Sequence, residues 1–236
     1  MTLMNLHMLV ARLKSSGLCV FTTRDVARLA DVSVESAAVY VHRMRKDGTV
    51  FPVERGKLSV SEDPFAVATQ LAFPSYLSFS SAFYLHGRME QVVDSLIVVT
   101  SRRRRDINFL GMSIEFVRFD EKRIFGYRKV EKGNSYVLLA DIEKSVVDAL
   151  YMPRRCPFAQ ARAALDDGFN RDLLEEYAKR MGSEAVVRRA GYLVESLGMK
   201  TRLRARTRVT YKLNPSIQTS GKRDPRWGLY INEVFE

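Results

Sequence analysis

The spacing of apolar residues in the first part of the chain predicts three helices and a hairpin. Apolar positions recur at helical spacing over residues 3–15, and residues 22–30 and 33–48 have the pattern of two further helices separated by a tight turn. Residues 49–60 form two short β-prone segments around a charged tip. Helix, tight turn, helix and hairpin in this order predict a winged helix-turn-helix, in which the hairpin is the wing.

The third helix has one face that we predict to be buried and one that we predict to be exposed. Ser33 suits the N-cap, Gly48 suits the left-handed position just past the end, and Thr22 and Asp25 can form a capping box on the second helix. The predicted buried face consists of Val34, Ala37, Val41 and Met44. A helix with polar residues on its exposed face can enter the major groove of DNA and read base edges. The predicted DNA contacts are Thr23, Arg24, Ser33, Glu35, Ser36, Val39, Tyr40, Arg43, Arg55 and Lys57.

Beyond residue 62 the pattern predicts a sheet followed by helices. β-rich segments are predicted at residues 92–100, 107–110, 113–119, 124–130 and 135–139, with Gly111-Met112 as the turn between the second and the third. Helices are predicted at residues 63–72, 78–87, 141–152, 158–165, 171–181 and 184–197. The predicted fold class is α+β: a winged helix-turn-helix in residues 1–62, then an α/β domain with a mixed sheet in residues 63–236. That domain divides into a sheet-containing part (63–152), a helical part (153–198) and a basic C-terminal segment (199–236).

Charge narrows the class of partner. The 236 residues carry a net charge of +11, which is unevenly distributed. Nine basic and five acidic residues give +4 in residues 1–61, twenty and nineteen give +1 in residues 62–198, and nine and three give +6 in residues 199–236. A balanced centre between two basic ends suits a polyanion that is contacted at both ends, and double-stranded DNA is the predicted partner.

The composition also argues against a membrane span, a signal peptide, a disulfide framework and a metal site. No run of about 18 apolar residues indicates a membrane span, and the start lacks the basic region of a signal peptide. Two cysteines, Cys19 and Cys156, do not make a disulfide framework, so we expect a reduced, cytoplasmic protein. The three histidines are scattered, and we expect no metal and no cofactor.

Two arginine-rich stretches are further candidates for contact with a partner. Arg102, Arg103, Arg104 and Arg105 follow a predicted strand, where they form either a solvated loop or a contact with a polyanion. Arg202, Arg204, Arg206 and Arg208 alternate, so in an extended segment they would share one face. That face is open to three interpretations: nucleic-acid contact, solvent exposure, or contact with a protein.

An enzymatic interpretation is weaker. A metal-dependent nuclease needs an Asp and a Glu-x-Lys on adjacent strands, because oxygen ligands bind the ion and the lysine polarises water. Asp94 and Glu115 are near suitable positions, but Val117 stands where the lysine should be. We interpret Asp141, Glu143 and Asp148 as helix-start and surface charges. We therefore expect that the protein is not an enzyme.

The chain also resembles a known family, the AbiEi-type antitoxins, which are described as predicted transcriptional regulators of viral defence. The resemblance covers most of the chain and adds five motifs to the N-terminal pattern: Pro74-Ser75-Tyr76-Leu77-Ser78-Phe79, Ser81-Ala82 with Tyr84-Leu85-His86-Gly87, Asp141 to Leu150, Ala190-Gly191-Tyr192-Leu193-Val194-Glu195, and Pro225-Arg226-Trp227-Gly228-Leu229. It implies an autoregulating repressor that binds its own promoter and counteracts a nucleotidyltransferase-like toxin. Two alternatives remain: a stand-alone transcription factor without a toxin, and a degenerate or active nuclease.

Overall fold

The structure is a computed structural model that describes residues 6–91, 93–133, 135–166, 168–206, 209–219 and 221–233. It has a mixed α+β fold, as the sequence predicts. The helices in this part of the chain are α1 Leu6–Ser15, α2 Thr23–Ala30, α3 Val34–Lys46, α4 Pro64–Gln70, α5 Phe79–Leu85, α6 Ile142–Tyr151, α7 Phe158–Ala163, α8 Arg171–Arg180 and α9 Glu184–Ser196, with a 3-10 turn at Glu121–Arg123. The strands are β1 Val20–Phe21, β2 Phe51–Glu54, β3 Lys57–Ser59, β4 Ser75–Leu77, β5 Ser95–Thr100, β6 Ile107–Phe109, β7 Met112–Arg118, β8 Tyr127–Lys132, β9 Ser135–Ala140, β10 Tyr211–Lys212, β11 Lys222–Asp224 and β12 Leu229–Ile231.

The chain forms two compact units. The first consists of described residues among 1–77, 94–119 and 129–139, and the second of those among 78–93, 120–128 and 140–236. The predicted boundary after residue 62 lies inside the first unit. Packing within the folded chain does not test whether residues 1–62 fold by themselves. The boundary after residue 62 therefore stays a prediction.

The first unit begins with α1–α3 and a small sheet of order β1-β3-β2. The predicted caps are confirmed: Thr22 and Asp25 form a capping box on α2, the Ser33 hydroxyl accepts the Ser36 N–H at 3.2 Å, and Gly48 has φ +68° just past α3. Asp31 ends α2 in the left-handed conformation, with φ 53°, which lets the chain turn directly into α3. The predicted hairpin is formed by β2 and β3, and β1 pairs with β3.

A six-stranded sheet, of order β6-β7-β5-β4-β9-β8, makes up most of the rest of this unit. β5 pairs in parallel with β7 and antiparallel with β4, so the predicted mixed sheet is confirmed. Five of the six residues of β5 are buried, as expected of a central strand that is covered on both faces. Helix α4 packs against β4, β5 and β7.

The predicted turn between β6 and β7 is wrong by one residue. Phe109 pairs with Met112, which leaves Leu110 and Gly111 as the two-residue turn. Both have positive φ, 50° and 87°, as a type I′ turn requires, because that turn matches the twist of the paired strands. Glycine therefore occupies the second turn position, and leucine tolerates the first.

The second unit is organised around α6. Residues 143–150 are all buried, and α5, α7, α8 and α9 pack on this helix. The interpretation of Glu143 and Asp148 as surface charges is wrong, because their helix is enclosed on every side. The Nζ of Lys144 binds the carboxylate of Asp148, which also accepts a hydrogen bond from the Ser78 hydroxyl at 2.8 Å. Both partners of a buried ion pair must stay together, because either charge alone would be strongly destabilising.

The sequence pattern missed a third sheet, of order β10-β12-β11, near the C-terminus. Its strands have only two or three residues each, too few for an alternating pattern to be recognised. Arg189 of α9 donates to the Lys212 carbonyl of β10 at 2.8 Å and to the Leu150 carbonyl at 2.7 Å. The ring of Trp227 lies so close to Gly191 that a Cβ there would approach it to 2.1 Å. Two separate sequence motifs are thus in direct contact.

Candidate nucleic-acid interface

The exposed face of α3 is the first part of the candidate interface. Glu35, Val39, His42 and Lys46 are all exposed and follow one another at spacings of four, three and four residues, so they lie along one line of the helix. Val39 is 51% exposed, which is unusual for a valine in the middle of a 13-residue helix. Ser36 and Arg43 flank this line and are also exposed. The face therefore offers a small apolar centre between polar and charged residues.

The predicted orientation of α3 is wrong in detail. Tyr40, predicted to contact DNA, is only 8% exposed, whereas Val34, predicted to face the core, is 47% exposed. The buried residues of α3 are Ala37, Tyr40 and Met44, which share the spacing of the predicted stripe. Two stripes fit the sequence, and the structure buries the one that contains the larger side chain, Tyr40. The Tyr40 hydroxyl is enclosed without a hydrogen-bond partner in the described part of the chain.

The N-terminal turn of α3 is capped by Ser33 and contains a carboxylate, Glu35, with a lowered pKa. The Ser33 hydroxyl caps the helix and contacts the Ser36 hydroxyl at 3.3 Å, so Ser33 has a structural role in addition to its predicted one. Hydrogen bonds from its own backbone N–H and from Ser33 hold the pKa of Glu35 below its ordinary value. Glu35 is therefore ionised at neutral pH, where it can accept from a base amino group but repels phosphate.

Helix α2 contributes the residues predicted at its first turn. Thr23 is half-buried and Arg24 is exposed. Arg28, one turn further on, is also exposed but forms an ion pair with Asp25 at 3.0 Å. Arg24 therefore differs from Arg28, because it forms no ion pair with any described residue.

The two predicted wing residues differ in their surroundings. Arg55 lies at the exposed tip beside Gly56, whose φ of +79° makes the tight turn possible. Lys57 is held within the unit, because its Nζ contacts Glu54 at 2.9 Å and the Leu71 carbonyl at 3.1 Å. Of the two, only Arg55 is unengaged and exposed.

The four arginines of residues 102–105 differ in exposure. Arg102, Arg103 and Arg105 are exposed, while the Arg104 side chain is 16% exposed. Arg104 donates to Glu54 at 2.8 Å and to the Leu71 carbonyl at 2.6 Å, and its guanidinium lies 4.7 Å from the centre of the Phe116 ring. The expectation of a uniform run, either solvated or bound to a polyanion, is therefore wrong for Arg104. Its carboxylate partner could not be identified from the sequence, because Glu54 is 50 residues away.

The second arginine-rich stretch lies in the second unit. Arg202, Arg204 and Arg206 are exposed and alternate with Thr201, Leu203 and Ala205, which are buried or half-buried, so their predicted shared face is confirmed. Arg202 forms an ion pair with Asp172. These arginines line a cavity of about 490 Å³ together with Lys179 and Glu184. Arg208 lies outside the described residues.

Sequence reasoning missed two residues of the α3 face, His42 and Lys46. Both belong to the line that runs through Glu35 and Val39. The signal was present in the sequence, since a stripe centred on Ala37 and Met44 places His42 and Lys46 on the opposite side. The missing information was which stripe faces the core.

The groups that a catalytic or metal site would need are dispersed. In the described ranges, no three His, Cys, Asp or Glu side chains come together as a metal ion would require. Glu115 of β7 pairs with Ile97 of β5, whereas Asp94 lies before the start of β5, three residues from Ile97 in the chain. Cys19 and Cys156 are both free and buried, and burial raises the pKa of the Cys19 thiol to about 11. Among the described helices, none is long and apolar enough to cross a bilayer.

Comparison with known proteins shows a similarity of fold. No family model and no curated protein matches the chain. The chain is similar in fold to the crystal structure of the RV2827C protein from Mycobacterium tuberculosis, with a TM-score of 0.62, over 94% of this chain and 89% of that chain. The two sequences are 16% identical, so the similarity shows the fold alone.

Proposed function

We propose that the protein is a transcriptional repressor that binds double-stranded DNA sequence-specifically, with residues 1–62 acting as a winged helix-turn-helix and α3 as the recognition helix. The observation that carries this proposal is the exposed face of α3. The helix has 13 residues, about 20 Å, and follows α2 after a three-residue turn. A helix of this kind suits the major groove, and Arg55 at the exposed tip of the hairpin after it is a candidate for contact with the backbone or the minor groove.

The residues divide by role. Ser36, Val39, His42 and Arg43 are the candidates for contact with base edges, because they are short or flexible and stand on the exposed face. Arg24, Lys46 and Arg55 are exposed cations at the margins, where phosphate contacts would set the orientation of the helix. Tyr40 is not among the contacts, because it belongs to the core of the three helices.

The family resemblance extends the proposal. On that basis the DNA is the promoter of the protein's own gene, and the second partner is a nucleotidyltransferase-like toxin that the protein counteracts without enzymatic chemistry. The alternatives of a stand-alone transcription factor and of a nuclease remain. Against the nuclease stands Val117, which occupies the position of the lysine that such a site needs.

DNA footprinting on the region upstream of the gene tests the core of the proposal. We expect a protected site, and Arg43→Ala should weaken binding there by about 1–3 kcal/mol if the guanidinium reads a guanine. The matched control is Arg12→Ala, which removes a cation from α1 and not from the α3 face. If neither the upstream region nor any random duplex is bound, the protein does not act through DNA. Co-expression with the product of a neighbouring gene tests the antitoxin role separately.

A further inference from the structure

The arginine run and the wing meet at a single cluster of interactions. Glu54, the last residue of β2, accepts hydrogen bonds from Arg104 at 2.8 Å and is paired with Lys57 at 2.9 Å. Arg104 and Lys57 both also donate to the Leu71 carbonyl. We call these four residues the Glu54 cluster. Burial alone would raise the pKa of Glu54, but the hydrogen bonds from Lys57 and Arg104 outweigh burial and lower it.

The Glu54 cluster determines what its sequence neighbours can do. Arg55 follows Glu54 directly, and Arg103 and Arg105 flank Arg104. Each of these three exposed arginines is therefore adjacent in the chain to a residue of the ion pair between Glu54 and Arg104. Arg102 is held as well, because its Nε donates to the Phe73 carbonyl at 2.7 Å while its side chain remains exposed. The loop is therefore fixed at two points and presents its remaining cations outward.

Arg103 and Arg105 are exposed and form no ion pair within the described chain. Asp106, the nearest acid in sequence, is held by the Phe116 N–H, which donates to its Oδ1 at 2.8 Å. A cluster of like charges that is held in place carries a repulsive energy, which a polyanion relieves. A phosphate group suits exposed arginines, because a guanidinium can bind two phosphate oxygens at once.

We infer that Arg102, Arg103 and Arg105 extend the wing into a second contact with the DNA backbone, on phosphates next to those that Arg55 reaches. This inference rests on the proposed function and specifies the partner as the duplex that α3 reads. Arg104 is the positioning residue, since it holds the loop against the wing and does not touch DNA itself. The contact adds affinity and no base preference, because phosphates are the same at every position.

The test replaces Arg102, Arg103 and Arg105 with Ser in the full chain and leaves Arg104 in place. The probes are a duplex from the region upstream of the gene and a scrambled duplex of equal length. Loss of three phosphate contacts should reduce the slope of log K against log salt by about 2–3 and weaken both probes by a similar factor, tenfold to several hundredfold at about 0.1 M salt. The backbone footprint should lose phosphates on the wing side only.

Three controls make the outcome decisive. Replacing the three arginines with Lys keeps the charge and should restore most of the affinity and the salt slope. The triple variant Lys122→Ser, Arg128→Ser, Arg154→Ser removes the same charge from exposed positions of the second unit and should leave the footprint unchanged. Arg43→Ala should weaken binding without shortening the wing side of the footprint.

The inference and the proposed function fail in different ways. If Arg43→Ala weakens binding but the folded 102/103/105 Ser variant keeps its affinity, salt slope and footprint, the inference is wrong and the proposed function stands. If that variant binds DNA normally but no longer binds an acidic protein partner, Arg102, Arg103 and Arg105 contact that protein and not DNA, and the inference is wrong. If the parent binds neither duplex, the proposed function itself is wrong.

Discussion

The two arginine-rich stretches have similar composition and different surroundings. In residues 102–105, Arg104 is enclosed and pairs with Glu54, and its three neighbours are exposed. In residues 202–206 all three arginines are exposed, and the segment is held by the buried Leu203 between them and by a hydrogen bond from the Arg206 N–H to Glu184 at 2.7 Å. A carboxylate holds the first stretch through the side chain of Arg104, whereas carboxylates hold the second stretch through the backbone N–H groups of Arg202 and Arg206.

This difference shows that charge alone does not assign a role to an arginine. Arg104 has a carboxylate partner in a partly enclosed site, where the interaction is strong. The ion pair of Arg202 with Asp172 is on the surface, where solvent screens it. Arg103, Arg105 and Arg206 are exposed and form no ion pair within the described chain, whereas Arg104 is paired with Glu54.

Arg104→Ala should have the largest effect. It removes the ion pair with Glu54, a hydrogen bond to Leu71 and the contact with the Phe116 ring, and it leaves Glu54 with Lys57 alone. We expect the free energy of unfolding to fall by about 2–4 kcal/mol, measured by urea denaturation. Arg103→Ala is the matched control and should change stability by no more than about 0.5 kcal/mol. Equal effects of the two variants would show that the run is uniform after all.

Glu54→Gln tests whether charge is what fixes the first stretch. We expect a loss of about 1–2 kcal/mol at neutral pH, because hydrogen bonds to a carboxylate are stronger than those to an amide. The pKa of Glu54 is lower in the folded state than in the unfolded state, so its contribution is present above the unfolded pKa and is lost as pH falls through the folded pKa. Unfolding curves of parent and variant should therefore converge in acid. A difference that does not depend on pH would mean that shape matters here, and not charge.

Replacing Arg202, Arg204 and Arg206 with Ser tests the second stretch. If this basic surface assists DNA binding, affinity should fall by about tenfold for specific and random duplexes alike at moderate salt. Stability should change little, because the buried Leu203 is kept. Gel-shift titrations at several salt concentrations measure both effects. A folded variant that binds as tightly as the parent would assign this stretch to another role, and contact with a toxin would become its best explanation.

Tyr40→Phe should have the smallest effect, and in the opposite direction from Arg104→Ala. The two terminal nitrogens of Arg104 have hydrogen-bond partners, whereas the Tyr40 hydroxyl is enclosed without one in the described chain. Removing that hydroxyl should stabilise the fold by about 1 kcal/mol, measured by thermal unfolding. DNA affinity should be unchanged. A stable variant with weakened DNA binding would return Tyr40 to the interface.

Local signals made much of the fold predictable. The hydroxyl of Ser33, the capping box of Thr22 and Asp25, and the glycine at position 48 act within one helical turn, so their residue types determine where α2 and α3 begin and end. The central strand β5 was predicted from its β-branched apolar run. The mixed sheet and the later helices followed from the same periodicities.

The sequence by itself determined where the elements lie and which residues are cations, because these properties depend on neighbours along the chain. Tertiary structure alone decided which stripe of α3 is buried, since Val41 and Tyr40 fit the helical period equally well and only tertiary packing distinguishes them. It also decided that Arg104 binds Glu54 while Arg103 faces solvent. Contacts between residues 50 positions apart depend on how the elements pack, and adjacent arginines carry no local mark of that packing.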